Sequence, residues 1–263
     1  MAISIIVMGA AGRMGATISR LVEEADDLAL VAVVERPEAE ARLAGYAASG
    51  VFASSDVAAA AAQFPGAVII DFTAPEASMV NARAAAAAGC PIIIGTTGFS
   101  EEQLAELDAL AETALVFRSA NMSVGVNVIM DILPKLTALL GEAYDIEMTE
   151  IHHNKKKDAP SGTALLLAEP LLEARGLSKA DINTNRFDVR EPRRHAEIGI
   201  QSLRGGDVVG VHTVYYMGPG ERIELTHHAH SRENFANGAL RAARWISAQK
   251  PGRVYNMQDV LHN

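Results

Sequence analysis

The first half of the chain alternates short apolar runs with helical patterns. Helical patterns span 14–27, 74–89 and 100–114, and the last begins at Ser100 with Gln103 three residues later, which predicts a capping box. The short apolar runs are apolar on both faces, which is typical of strands buried on both sides of a parallel sheet. We therefore predict an α/β fold with a Rossmann-like, doubly wound parallel sheet. The predicted strands are 4–9, 28–35, 66–73, 90–97 and 114–121.

The pattern changes after residue 123. Apolar and polar positions begin to alternate, with turn sequences between the runs, which predicts a second α+β domain with a mixed, mostly antiparallel sheet. We expect Pro134 to kink one helix and Pro170 to bend or end another. The predicted domains are 1–123 for dinucleotide binding and 124–233 for the substrate. The predicted elements are helices at 123–141, 162–175 and 231–249 and strands at 144–153, 196–204, 207–217 and 221–230.

Composition narrows the function classes. The chain has 263 residues, 49% of them apolar, and a formal net charge of −9, whereas a general nucleic-acid binder is more often basic. Cys90 is the only cysteine, which excludes an intrachain disulfide and a Cys-rich zinc motif. The first residues predict a buried strand rather than a signal peptide, and we expect no membrane span and a cytoplasmic protein.

A glycine loop joins the first strand to the first helix. Gly9, Gly12 and Gly15 form G-x-x-G-x-x-G, a variant of the dinucleotide fingerprint. Glu35 lies twenty residues after Gly15, where an acid meets the adenine ribose hydroxyls, and Arg36 could pair with a 2′-phosphate. The pattern favours a dinucleotide site over a plain turn, and it leaves NADH and NADPH both open.

Three predicted strands end in polar, turn-rich sequences: "DFTAPE" (71–76), "GTTGFS" (95–100) and "SANMSVG" (119–125). In an open α/β sheet the ligand lies beyond the carboxyl ends of the strands, so these segments are expected at one edge. We predict that the second segment contacts the nicotinamide carboxamide and that the third lines its other side.

Residues 152–164 read "HHNKKKDAPSGTA". Ser161 is a good N-cap, and Gly162 and Thr163 begin a helix whose first N–H groups lack intrahelical partners, which is an arrangement that binds an anion. Lys156 adds positive charge, and His152 could deliver a proton near neutral pH. We interpret the stretch as a pocket for a small dianion. A solvated charge run, a metal site with more distant histidines and a nucleic-acid patch remain as alternatives.

Taken together, the motifs resemble the 4-hydroxy-tetrahydrodipicolinate reductase (dihydrodipicolinate reductase) family of the bacterial diaminopimelate and lysine pathway. The likeness covers nearly the whole chain, and the block at 150–164 is its most specific part. The motifs are "GAAGRMG", "DFT", "GTTGF", "ANMSVGVN", "EIHHNKKKDAPSGTA", "SLRGGDVVGVHT", "GERIELTHHAHSRENFANGA" and "DVL".

The resemblance implies a role for each candidate residue. His152 would be the general acid/base and Lys156 a second proton donor, and Glu35 and Arg36 would bind the adenosine ribose and a 2′-phosphate. The pyrophosphate would lie against Gly9, Ala10, Ala11, Gly12, Arg13 and Met14. The nicotinamide would be bracketed by Gly95, Thr96, Thr97, Ser119, Ala120, Asn121 and Met122. The substrate carboxylates would be held by His153, Gly162 and Thr163.

The implied reaction uses NADH or NADPH to reduce an unsaturated ring diacid that forms from the hydroxylated substrate by loss of water. The implied assembly is a homotetramer, with residues 234–263 returning to the first domain, no bound metal and no nucleic-acid or membrane partner. The residues alone leave two rivals: another two-domain nicotinamide oxidoreductase of a small amino or keto acid, and a non-catalytic dinucleotide sensor.

Overall fold

The computed structural model describes residues 2–187 and 189–262, so Met1 and Asn263, the ends of the predicted domain ranges, lie outside the described residues. The chain divides into two compact units. Unit 1 consists of Met1–Val124 and Arg232–Asn263, and unit 2 consists of Gly125–Ser231.

Unit 1 contains a parallel six-stranded sheet with the order β3-β2-β1-β4-β5-β6. This order is that of a doubly wound sheet and confirms the predicted fold class. The strand β3 was not predicted, because three residues are too few to show a pattern. The strands are β1 (Ile3–Met8), β2 (Leu28–Val34), β3 (Phe52–Ser54), β4 (Val68–Asp71), β5 (Ile92–Ile94) and β6 (Val116–Arg118).

Both faces of this sheet are buried, as the runs without alternation predict. Ile5 and Val7 of β1 pack into one apolar cluster, and Ile6 and Met8 pack into another on the opposite face. The predicted capping box at Ser100 and Gln103 is present at the start of α5. The helices are α1 (Arg13–Glu23), α2 (Ala44–Ala48), α3 (Val57–Gln63), α4 (Pro75–Ala88), α5 (Glu101–Ala111), α8 (Glu233–Ile246) and α9 (Met257–Leu261).

Unit 2 contains a mixed five-stranded sheet with the order β11-β10-β7-β9-β8. The β7–β10 and β10–β11 ladders are antiparallel, and β7–β9 and β8–β9 are parallel. The two-residue β8 was not predicted. The strands are β7 (Asp145–His152), β8 (Ile182–Asn183), β9 (Ile198–Arg204), β10 (Gly210–Gly218) and β11 (Glu221–Ala229).

Two helices supply the apolar partner of this sheet: α6 (Val124–Leu140) and α7 (Gly162–Ala174). Each contains a proline and continues through it, so of the two expectations for Pro170, a bend or the end of the helix, the second is wrong. By length and composition alone, the segment Val124–Ala143 could cross a membrane. A core helix passes the same test, and Val126 and Leu133 of this segment are buried in unit 2.

Candidate active site

The glycine loop of unit 1 follows β1 and ends at α1. Gly9 has a φ of +63°, and a Cβ at position 15 would collide with the carbonyl oxygen of Gly9, so both positions require glycine. Gly12 is the N-cap of α1 and provides no side-chain cap. The first N–H groups of α1 are therefore left to another acceptor, which is the arrangement that binds phosphate at a helix start.

Glu35 lies beside this loop. Its Oε2 accepts a hydrogen bond from the Ala11 N–H at 3.1 Å, and its Oε1 accepts one from the Arg36 N–H at 3.0 Å. Arg42, which was not predicted as a site residue, donates from Nη2 to the Ala11 carbonyl at 2.8 Å. No sequence pattern marks Arg42, because it reaches the loop from a separate 3₁₀ turn.

A cavity of about 620 Å³ opens beside the loop, at the carboxyl ends of β1, β2 and β4. Glycines, one acid, one arginine and apolar side chains share its wall. Such a pocket suits an elongated, partly apolar ligand that carries a phosphate. Its walls include Gly9, Gly12, Glu35, Arg36, Thr73 and Asn81.

A buried carboxylate supports the loop from β4. Asp71 is fully buried and accepts hydrogen bonds from the Thr73 N–H at 2.8 Å and from Asn81 Nδ2 at 2.9 Å. The methyl group of Thr73 would lie 3.0 Å from a Cβ at position 9, so Thr73 packs directly against the loop. "DFT" was read as a polar strand end, and the structure adds this supporting role for Asp71.

The two predicted nicotinamide segments follow adjacent parallel strands, since Ile94 of β5 pairs with Arg118 of β6. Gly95 packs so closely on the Phe72 ring that a Cβ there would collide with it. Thr96 is buried with its hydroxyl bonded to Ser78, whereas Thr97 is exposed. Gly95 and Thr96 therefore support the loop from inside, and Thr97 is accessible to a ligand.

Of the predicted residues 119–122, in the segment after β6, most are buried. Ser119 donates its hydroxyl to the Asn121 carbonyl at 2.8 Å, and Asn121 accepts from the Ser123 N–H at 2.8 Å. Met122 is buried, and Gly238 of α8 packs against its carbonyl, where a Cβ would collide. Ala120 alone among the four predicted residues from 119 to 122 is exposed.

In unit 2, His152 is the last residue of β7, and His153 follows it. His152 is buried and His153 is partly exposed. The chain then turns, with the Lys156 N–H donating to the His153 carbonyl at 3.1 Å. Lys155 and Lys157 are exposed and Lys156 is partly buried, so the basic run is not a uniformly solvated one.

The anion-binding element predicted from the sequence lies at the start of α7. Ser161 is its N-cap and accepts a hydrogen bond from the Ala164 N–H at 3.2 Å. The space beside Gly162 is open. Here the protein's own Asp158 carboxylate accepts two 2.8 Å bonds from Lys156 Nζ and one from the Gly162 N–H, and Lys156 lowers the pKa of Asp158. A carboxylate therefore already occupies this position.

His152 has one buried carboxylate partner. Its Nδ1 lies 2.6 Å from Glu150 Oε2, and its ring meets that of His212 edge to face at 5.1 Å. Burial lowers the pKa of His152, and the bond to Glu150 opposes that shift. His212 bonds to Ser161 Oγ through Nε2 at 3.0 Å, and burial lowers its pKa to about 4.

The metal alternative gains no support from the geometry. Within residues 2–187 and 189–262, no group of three or more His, Cys, Asp or Glu side chains is placed to hold a metal ion. His212 pairs across strands with Glu150 on one side and His227 on the other. His227 was among the distant histidines of the metal alternative, whereas Glu150, Arg204 and His212 were not selected from the sequence, although they lie in the motifs that carry the family resemblance.

Comparisons with known proteins agree over the whole chain. The family models described as "Dihydrodipicolinate reductase, N-terminus" and "Dihydrodipicolinate reductase, C-terminus" match residues 3–122 and 125–261. The chain is 60% identical over 262 residues to a 4-hydroxy-tetrahydrodipicolinate reductase of Nitratidesulfovibrio vulgaris (strain DP4), covering 99% of this chain and 100% of that protein. One from Oleidesulfovibrio alaskensis is 56% identical over 265 residues, with coverage of 99% and 100%.

A solved structure shows the same fold. The dipicolinate-bound dihydrodipicolinate reductase from Paenisporosarcina sp. TG-14 superimposes with a TM-score of 0.78 at 23% identity, covering 97% of this chain and 98% of that one. At 23% identity this structural likeness shows the fold alone. The family assignment rests on the relatives that are 56–60% identical.

Proposed function

The chain belongs to the dihydrodipicolinate reductase family, and on that premise we propose which of its residues carry out the reduction of 4-hydroxy-tetrahydrodipicolinate. The reaction is a step of diaminopimelate and lysine biosynthesis and draws on a nicotinamide dinucleotide. We assign the dinucleotide to unit 1 and the substrate to unit 2. The observation that carries these roles is the grouping of His152, Lys156 and the start of α7.

The residues of unit 1 fit the dinucleotide. Gly9 has a positive φ and a Cβ at Gly15 would collide with the Gly9 carbonyl, so the turn requires glycine at both positions, and Gly12 leaves the start of α1 open to an anion. The cavity beside it offers the Glu35 carboxylate for ribose hydroxyls. We propose that Ala10, Ala11, Arg13 and Met14 complete the pyrophosphate site.

We propose that both NADH and NADPH are used. Glu35 can accept hydrogen bonds from the free hydroxyls of NADH, and Arg36, at the same cavity, can pair with the extra phosphate of NADPH. Arg42 adds a second cation beside the loop. The segments at Gly95–Thr97 and Ser119–Met122 are proposed to hold the nicotinamide, whose reduced ring supplies the hydride when bound.

The residues of unit 2 are proposed to bind the substrate carboxylates and to supply the proton. We propose that one substrate carboxylate takes the place now held by Asp158, where it meets Lys156 and the N–H groups of Gly162 and Thr163. His153 is proposed to hold the other carboxylate. The dipicolinate bound to the Paenisporosarcina enzyme is a dicarboxylate of this class.

Proton delivery is assigned to His152. Hydride addition to the unsaturated ring leaves electron density that needs a proton, and an acid positioned in the site supplies it. Lys156 stabilises the negative charge and is proposed as a second donor. The Nδ1 of His152 is taken by Glu150, so Nε2 is the nitrogen available to the substrate.

The assembly and location follow the family. We propose a cytoplasmic homotetramer built through unit 2. Sedimentation of the purified chain tests the assembly, and a monomer at micromolar concentration would contradict it.

The assay that tests the cofactor proposal follows absorbance at 340 nm with freshly generated hydroxy-tetrahydrodipicolinate. NADH and NADPH are compared in parallel, with reactions lacking substrate as controls. We expect substrate-dependent oxidation of both. Arg36→Ala should raise the KM for NADPH several-fold and leave that for NADH nearly unchanged, because only NADPH carries the extra phosphate. Equal effects on both would refute the role of Arg36.

A further inference from the structure

Glu150 is a carboxylate with no exposed surface, in the middle of the proposed substrate site. Its two oxygens accept hydrogen bonds from the Ser161 N–H at 3.1 Å and from both terminal nitrogens of Arg204, at 2.8 and 2.7 Å. His152 Nδ1 lies 2.6 Å away. Burying a carboxylate is costly unless several donors compensate it, and here they do.

Glu150 is charged in this setting. Burial alone would raise its pKa, but the bonds from Arg204, Ser202 and His152 outweigh that effect and lower the pKa to about 2. An ionised carboxylate only accepts hydrogen bonds, so the Nδ1 of His152 must carry a proton. That fixes the ring orientation and leaves Nε2 as the nitrogen that gains and loses the catalytic proton.

The surroundings keep Nε2 usable. A Cβ at position 210 would lie 3.1 Å from His152 Nε2, so glycine on β10 leaves space beside this nitrogen. The charged and titratable groups that face His152 are Glu150 on β7, Arg204 on β9, His212 on β10 and Lys156 in the following loop. Among them, only Glu150 favours the protonated ring.

Glu150 also joins the proton donor to the anion site. Its bond to the Ser161 N–H holds the residue that caps α7. Arg204, while bound to Glu150, donates to the Asp158 carbonyl at 2.7 Å, in the loop that carries Lys156. One buried carboxylate thus contacts the histidine, the helix start and the arginine that holds the lysine loop.

We propose that Glu150, held by Arg204, is a positioning residue that keeps His152 in its proton-donating form and in register with the carboxylate-binding start of α7. This proposal rests on the proposed role of His152. It adds a functional pair that is 54 residues apart in the sequence.

The test compares three variants by two measurements. Glu150→Gln removes the charge at constant shape, and Arg204→Gln removes the opposing charge. Glu147→Gln is the control, because Glu147 lies on the same strand and is ion-paired with Arg193 and Arg186 away from His152. The pKa of His152 is read in ligand-free protein by NMR of ¹³C-labelled histidine, with His152→Gln to assign the signal. The pH profile of kcat is recorded alongside.

We expect opposite shifts. In Glu150→Gln the pKa of His152 falls, the alkaline limb of kcat moves to lower pH, and kcat at pH 8 drops by roughly 10- to 100-fold with a smaller deficit near pH 6. In Arg204→Gln the pKa rises and the limb moves to higher pH. Glu147→Gln leaves both unchanged. A purely structural Glu150 would lower activity without moving either quantity.

If Glu150→Gln does not fold, the double variant Glu150→Gln/Arg204→Gln removes the unpaired guanidinium as well. It should still lower the pKa of His152, because Glu150 acts on the ring more strongly than Arg204 does. An unchanged His152 pKa in the variants would overturn the inference. A wild type without reductase activity would instead refute the proposed function, and the NMR titration would still report on the Glu150–His152 pair.

Discussion

Lys156 differs from its lysine neighbours in its surroundings. Its side chain is 21% exposed and lies between the two oxygens of Asp158, whereas Lys155 and Lys157 are exposed. We predict that Lys156→Ala raises the KM for substrate and lowers kcat/KM by roughly 100-fold, since it removes the charge that is proposed to meet a substrate carboxylate. Lys155→Ala is the matched control and should behave as wild type. Equal losses in both variants would show that only the total charge matters.

In the proposed site, Asp158 would compete with a substrate carboxylate for Lys156 and the Gly162 N–H. We predict that Asp158→Asn tightens the binding of dipicolinate by roughly two- to fivefold, the range expected for an exposed ion pair. Isothermal titration calorimetry of the holoenzyme measures the affinity. Weaker binding would mean that Asp158 holds Lys156 in position rather than blocking it.

At the scale of elements, the turn from β1 into α1 depends on Gly15. A Cβ there would collide with the Gly9 carbonyl, which is backbone and has no rotamer to escape to. Gly15→Ala should therefore raise the Kd for NADPH at least about tenfold and destabilise the protein by about 1–3 kcal/mol. Gly45→Ala is the control, because Gly45 lies in α2 and no atom lies within 4 Å of a Cβ at that position. Dinucleotide fluorescence and thermal unfolding follow both, and a Gly15→Ala variant that binds normally would refute a tight loop.

Most elements were predictable because their patterns are local. The strands that became β1 and β2 and the capping box of α5 follow from apolar runs and a four-residue motif. β3 and β8 were not predictable, because two or three residues pair only when a neighbouring strand is present. Pro170 was misjudged in part, since α7 continues through it.

The residues of the candidate site also fall into two groups, those that a local motif predicts and those that only the fold brings together. The glycine loop and "HHNKKKDAPSGTA" carry their chemistry in neighbouring residues, so their candidates could be selected from the sequence. Glu150, Arg204 and His212 could not, because three paired strands bring them together. Their residue types alone do not distinguish them from ordinary surface charges. Arg42 was missed because it reaches the glycine loop from a separate 3₁₀ turn.

At the scale of the whole molecule, buried histidines make stability depend on pH. His212 has a folded pKa of about 4, against 6.5 when unperturbed, because of burial. The folded state therefore binds fewer protons than the unfolded state between these values, so stability is full above pH 6.5 and falls as pH drops towards 4. Burial lowers the pKa values of His152 and His227 as well, which adds to the same trend.

We predict that His212→Gln weakens this dependence. The loss of unfolding free energy between pH 6.5 and 4 should shrink by up to about 3 kcal/mol. Chemical denaturation at each pH measures it, with the exposed His195 replaced by Gln as the control. An unchanged slope in His212→Gln would mean that other groups cause the acid sensitivity.

The central claim is that His152 protonates the substrate during reduction by the dinucleotide. Steady-state oxidation of NADPH by wild type and His152→Gln, at saturating freshly generated substrate, tests it most directly. We expect kcat to fall by roughly 10² or more while the KM for substrate changes little, because an acid that acts in the transition state is removed. A His152→Gln enzyme with near-normal kcat would contradict it.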